Sequence, residues 1–212
     1  MTALFITGAI VALLLLDRFV VQPLERRGPK LADLAARIPV PATVGVAPGR
    51  FYGRGHTAVA LTESGEARIA LDGFARHAFG APDRVDLPRP GLFVERGAPL
   101  LTARRDGRRM EVRSPLSGTV SAVRPDGGDG WLVSLTPTRM GREFRALLVA
   151  EEAAAWLKDE FTRFREFLVD GLSLSPATLP DGGLPAEGAL QCLPEEMLAE
   201  FEEEFLVNEV TR

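Results

Sequence analysis

Between Phe51 and about Thr138 the chain breaks into short runs of alternating apolar and polar residues, each closed by Gly, Pro or Asp. The runs are Thr57-Ala-Val-Ala-Leu-Thr, Ala67-Arg-Ile-Ala-Leu, Met110-Glu-Val-Arg, Thr119-Val-Ser-Ala-Val and Gly130-Trp-Leu-Val-Ser-Leu. None is long enough for a helix of ordinary length, and their period of two places alternate side chains on opposite faces of a strand. Many short strands at close spacing predict an all-β sandwich or barrel over 51–140. One interruption, Asp72 to Gly80, reads as one short helix.

The flanks have a different texture. Thr2 to Leu16 carries no charge, and apolar character resumes at Phe19, Val20 and Val21 before Pro23. A helix from Ala3 to Gln22 has about the 20 residues needed to cross a ~30 Å hydrocarbon core. A signal peptide normally has a basic start and a small-x-small cleavage site, and neither is present here. A buried or interfacial helix remains a competing reading. Residues 1–22 are therefore expected to be a transmembrane anchor. Arg18, Arg26, Arg27, Lys30 and Arg37 all follow the apolar run, which places the bulk of the chain in the cytoplasm, single-pass at the cytoplasmic membrane. Residues 23–50, with five prolines and one helical stretch (Lys30 to Arg37), read as a linker.

From 141 to 172 the period becomes helical. Phe144, Leu147, Leu148, Ala155, Trp156, Phe161, Phe164, Phe167 and Leu168 mark one face of an amphipathic helix. Residues 173–212 read as a Pro/Gly/Ser-rich loop followed by a strongly acidic helix, Pro194 to about Asn208. Trp156, Phe161 and Phe164 are candidates for an interface core; they serve equally as residues packed on the β domain.

Charge and composition narrow the function. Net charge is −4, which argues against a basic nucleic-acid binder. One cysteine (Cys192) and two histidines (His56, His77) leave few ways to assemble a metal site. His56 lies among apolar strand residues, so a packed structural histidine is favoured over a catalytic one, and His77 reads the same way. Cys192 reads as an incidental thiol. There is no Gly-rich phosphate loop, nucleophile elbow or paired-histidine motif, so no enzyme, metal, cofactor or small-molecule substrate is expected.

The order of motifs from Phe51 to Leu135 resembles the H-protein of the glycine cleavage system. The matching residues are His56-Thr-Ala-Val-Ala-Leu, Ala67-Arg-Ile-Ala-Leu-Asp-Gly-Phe-Ala with Gly80, and the turn Leu87-Pro88-Arg89-Pro90-Gly91. Gly97-Ala98-Pro99-Leu100, Ser114-Pro115-Leu116-Ser117-Gly118-Thr119-Val120 and Gly130-Trp131-Leu132 follow in order. The resemblance implies a barrel-sandwich hybrid of the lipoyl-domain type. It also implies a hairpin lysine that carries lipoate, eight residues before Pro115. That position is Gly107, within Arg104-Arg105-Asp106-Gly107, and glycine has no amine to acylate. The chain's only lysines, Lys30 and Lys158, lie outside the hairpin.

Asp106-Gly107 between extended segments is a strong signal for a two-residue type I′ turn. Arg104, Arg105, Arg108, Arg109 and Arg113 surround it against Asp106 and Glu111. Strand alternation is expected to separate Arg105 and Arg109 from Arg104 and Arg108. The cluster is either a docking site for acidic groups, a solvated hairpin, or a surface onto which the acidic tail folds back. The functional expectation is a membrane-tethered, non-lipoylated adaptor of a hetero-oligomeric membrane complex. The alternative is a regulator or decoy in glycine cleavage or lipoate metabolism.

Overall fold

The computed structural model describes residues 45–127, 130–171 and 185–207. The expected anchor at 1–22, nearly all of the linker and most of the loop after 172 lie outside these residues. Among the described residues no helix is long and apolar enough to cross a membrane.

The strands, in chain order, are β1 (Arg50–Gly53), β2 (Thr57–Leu61), β3 (Ala67–Leu71), β4 (Arg84–Asp86) and β5 (Phe93–Val94). They continue with β6 (Pro99–Arg105), β7 (Arg108–Arg113), β8 (Gly118–Val123), β9 (Val133–Pro137) and β10 (Leu148–Val149). The helices are α1 (Gly73–Phe79), α2 (Met140–Glu143), α3 (Ala150–Gly171) and α4 (Glu195–Phe201), the last continued by a π turn at Glu202–Leu206. The ladders form a seven-stranded sheet, β10-β1-β2-β3-β9-β8-β5, and a three-stranded sheet, β4-β6-β7, antiparallel throughout. The chain is thus a mainly β core with C-terminal helices.

Alternation builds this core. On β7, Met110 and Val112 are buried while Glu111 and Arg113 are half-exposed. On β6, Leu101 and Ala103 turn inward and Arg104 outward. These residues share one apolar cluster with Val59, Ile69, Val120, Val133 and Leu135 of the larger sheet. Helix α1 begins where expected, because the Asp72 carboxylate accepts the Ala75 N–H at 2.8 Å. It ends at Gly80, whose φ of 78° suits a residue without Cβ.

One expected element divides. The apolar spacing from Phe144 through Leu148 imitates a helix continuous with 150–171, yet Leu148 and Val149 form β10 and pair with Tyr52 and Phe51 of β1. Ala150 then takes φ 45°, which breaks any helical continuity, and α3 starts there. Pairing satisfies the backbone of the β1 edge, a gain that helical periodicity does not report. Beyond it, α3 buries Ala153, Leu157, Phe161, Phe164 and Leu168 along one stripe.

An aromatic part of the same cluster joins the helices to the sheet. Phe74 of α1 packs edge-on to Phe161 and Phe164 of α3 and parallel to Phe201 and Phe205 of the C-terminal segment. Phe161, Phe164, Phe201 and Phe205 are all buried. Burying four phenyl rings contributes on the order of 2 kcal/mol each before entropy is counted.

Candidate functional site

The β6–β7 hairpin closes through Asp106 and Gly107, with φ of 50° and 80°. Positive φ at both central positions is the type I′ geometry, whose twist matches the flanking strands. Its arginines fall into different pairs from those alternation suggested. Arg104 lies opposite Arg109, and Arg105 opposite Arg108. Directly opposed residues of an antiparallel ladder project from the same face, so a two-residue turn groups 104 with 109 and 105 with 108.

Three of the five arginines have internal partners. Arg104 donates to Asp86, whose other carboxylate oxygen takes the Arg84 Nε–H at 2.8 Å. Those hydrogen bonds, Arg104's first, hold the Asp86 carboxyl below its usual range. Arg105 pairs with Asp106 at 3.4 Å and lies across Gly80, where a Cβ would meet its guanidinium. Arg113 donates to the Gly97 carbonyl at 3.0 Å and pairs with Glu111. Arg108 and Arg109 instead line a groove of about 550 Å³ with Asp106, Gly107, Glu195, Leu198, Ala199 and Glu202.

The acidic segment therefore folds back on the hairpin, and Glu202 makes the join. It accepts the Glu111 backbone N–H at 3.2 Å. Burial pushes its carboxyl above the usual range, against the pull of that N–H and of the Arg109 and Arg113 guanidiniums. Of the other proposed contact residues, Phe161 and Phe164 are enclosed in the aromatic core and Trp156 is half-buried against His56. They pack on the protein itself.

His56 is the centre of a site that its sequence neighbours did not announce. It occupies the tight turn between β1 and β2 with φ 58° and no solvent exposure. Its Nδ1 lies 2.9 Å from Asp72 Oδ2, and its Nε2 faces Glu160 Oε2 at 3.6 Å, an ion-pair rather than a hydrogen-bond distance. The ring is stacked between Phe74 (4.1 Å) and Trp156 (4.9 Å). Arg163 grips the other oxygen of Glu160 at 2.6 Å and reaches Glu204 at 3.0 Å. Burial by itself pulls the imidazole down, but the Asp72 and Glu160 carboxylates outweigh it, and the ring is pushed up to about 9. Glu160 is lowered: burial acts to raise it, and His56 and Arg163 more than offset that. Sequence carried a signal for this site. Glu160 interrupts the apolar stripe of α3, and a carboxylate on a buried face needs a cationic partner.

The remaining candidates lie elsewhere. His77 Nε2 lies 2.7 Å from the Pro185 carbonyl oxygen, and the ring stands edge-on to Phe161. Cys192 is exposed. In the Ser114–Val120 motif, the Ser117 backbone N–H and hydroxyl both donate to buried Glu143, at 2.6 and 2.7 Å, which fixes the turn before β8. Among the described residues no group of three or more His, Cys, Asp or Glu side chains is placed to hold a metal ion.

No protein-family model matches the chain. Individual relatives do. A probable glycine cleavage system H protein of Pyrococcus abyssi is 26% identical over 121 residues, covering 52% of this chain and 90% of that protein. The glycine cleavage system H protein of Hydrogenovibrio crunogenus is 30% identical over 98 residues, covering 41% of this chain and 76% of the relative. The crystal structure of a glycine cleavage system H protein from Mycobacterium marinum aligns with 52% of this chain and 98% of its own, at 26% identity and a TM-score of 0.44. With the ordered motifs of the β core, the identity and coverage shared with the Hydrogenovibrio protein place the chain in the glycine cleavage system H protein family.

Proposed function

We propose that this protein is a non-catalytic, non-lipoylated member of the family that works as an adaptor. In this reading residues 1–22 tether it to the cytoplasmic membrane, and a barrel-sandwich-type core faces the cytoplasm beside the subunits of a hetero-oligomeric membrane complex.

The observation that carries this reading is the hairpin tip. The family resemblance puts a lipoyl lysine at 107, and the residue there is a glycine at φ 80° with no side-chain amine, at a position where a Cβ would point into open space. A lysine put back at that position meets the strain of left-handed backbone. The one lysine among the described residues, Lys158, is on α3 rather than on the hairpin. The apolar, uncharged stretch from Thr2 to Leu16, with basic residues only after it, supports the tether.

Three measurements on the native protein test the parts separately. Intact mass is expected to show the unmodified chain, and a lipoyl adduct overturns the first claim. Alkaline carbonate is expected to leave the protein with the membrane, and its release overturns the tether. Purification in mild detergent is expected to retain a fixed set of integral membrane subunits in stoichiometric amount. Recovery with glycine decarboxylase or lipoyl-transfer enzymes instead favours the alternative, a regulator or decoy of glycine cleavage or lipoate metabolism, which draws its support from the relatives' names.

A further inference from the structure

The two nitrogens of the His56 ring face carboxylates supplied by different elements, Asp72 at the start of α1 and Glu160 in the middle of α3. A neutral imidazole has one N–H and one lone pair. In either tautomer of a neutral ring, that lone pair would point at an anionic oxygen in a site closed to water, with nothing to screen the repulsion. A doubly protonated ring presents N–H to both carboxylates. The faces of the ring agree with this assignment: Phe74 and Trp156 lie nearly parallel to it, interplanar angles 23° and 21°, and offer their π-clouds to a cation.

The carboxylates are themselves held. Asp72 Oδ1 caps α1 through the Ala75 N–H, leaving Oδ2 for the ring. Glu160 Oε1 is gripped by Arg163, which continues to Glu204 and covers the Phe205 ring. Charges therefore alternate along Asp72, His56, Glu160, Arg163 and Glu204, from the β core across α3 to the C-terminal turn. Asp72 and Glu160 are the charged groups that face the ring, with Arg163 behind Glu160. His77 of α1 is turned instead to the Pro185 carbonyl.

We propose that His56 is a structural imidazolium, a buried clasp whose second proton couples α3 to the β core, so that deprotonation loosens α3 while the β ladders stay paired. The pull of the two carboxylates keeps the clasp closed at neutral pH, and loss of the proton opens it in alkali, near pH 9.

The test uses the full chain in mild detergent. Ring ¹⁵N shifts of His56, distinguished from His77 by a His77→Gln chain, are recorded from pH 6 to 10.5. In parallel a Trp131→Phe chain reports the emission of Trp156, which rests on the ring. Both ring nitrogens are expected to keep the protonated signature at pH 7 and to change together near pH 9, with a red shift of Trp156 emission at the same midpoint. Glu160→Gln is expected to lower that midpoint by about one unit or more. A pyridine-type nitrogen on His56 at pH 7 in the His77→Gln chain overturns the imidazolium. A ring that titrates while Trp156 emission stays still overturns the coupling to α3.

Discussion

The tip of the β6–β7 hairpin and the surroundings of His56 are both crowded with charge, and they use it in opposite ways. At the tip, Arg104, Arg108 and Arg109 stand at the end of the three-stranded sheet β4-β6-β7, exposed or half-exposed, where a guanidinium keeps much of its hydration and a nearby carboxylate such as Asp86 adds little. Around His56 a fully enclosed cation sits between two buried carboxylates, so desolvation and pairing are both large and the net effect depends on geometry. The hairpin is therefore expected to be nearly indifferent to any one of its charges, and the buried site to be sensitive to every one. The tip is free to vary or to meet a partner, while the His56 site is bound into the fold.

Substitutions at the buried site are the strongest way to break this contrast. Phe74→Ala removes the ring that joins His56 to both halves of the aromatic core, and a loss of about 4 kcal/mol is expected in urea unfolding of the full chain. A loss under 1 kcal/mol would show that the aromatic cluster closes over the gap and that the two regions are not so different. Glu160→Gln strands the imidazolium beside a neutral amide and is expected to cost about 3 kcal/mol. Without the buried charge pair, that cost would shrink to the scale of a surface substitution.

The pH dependence sharpens the comparison, because its sign follows from the raised imidazole. His56 binds its proton more tightly folded than unfolded, so its contribution is complete below pH 6.5 and disappears as pH rises toward about 9. Stability is expected to fall across that window by something on the order of 3 kcal/mol, and a His56→Gln chain is expected to be flat there. Glu160 has the opposite sense: its lowered carboxyl contributes above pH 4.5 and is lost in acid.

The hairpin carries the small effects. Gly107→Ala meets open space but must hold φ 80°, and a loss of about 1 kcal/mol is expected from backbone strain alone. Arg108→Ala is expected to change stability by no more than about 0.5 kcal/mol. A larger loss at Arg108 would mean that the groove beside α4 holds the C-terminal segment through charge rather than through Phe201 and Phe205.

Much of the core was legible in advance. Strand β3 and helix α1 follow directly from Ala67-Arg-Ile-Ala-Leu and from the stretch Asp72 to Gly80, because the signals for both lie within a few residues. The Asp106-Gly107 turn was legible for the same reason. Strands β4 and β5 were not, since three and two residues carry no period. Strand β10 was hidden inside a helical pattern, and its pairing with β1 depends on a segment nearly a hundred residues away. The faces of the hairpin arginines were misassigned because they follow from cross-strand register, which a strand read alone does not contain.

What the sequence determined by itself is everything that rests on neighbours within a few residues. That includes the strand-rich core, the short capped helix, the hairpin turn and the absence of an amine at position 107. What only the tertiary structure decided is which charges meet. Asp72, His56 and Glu160 come from a helix cap, a turn and a helix, and no local rule brings them together. The physical reason is that burial and charge pairing act through space: a histidine among apolar residues becomes a cationic clasp only when two distant carboxylates are folded against it out of water.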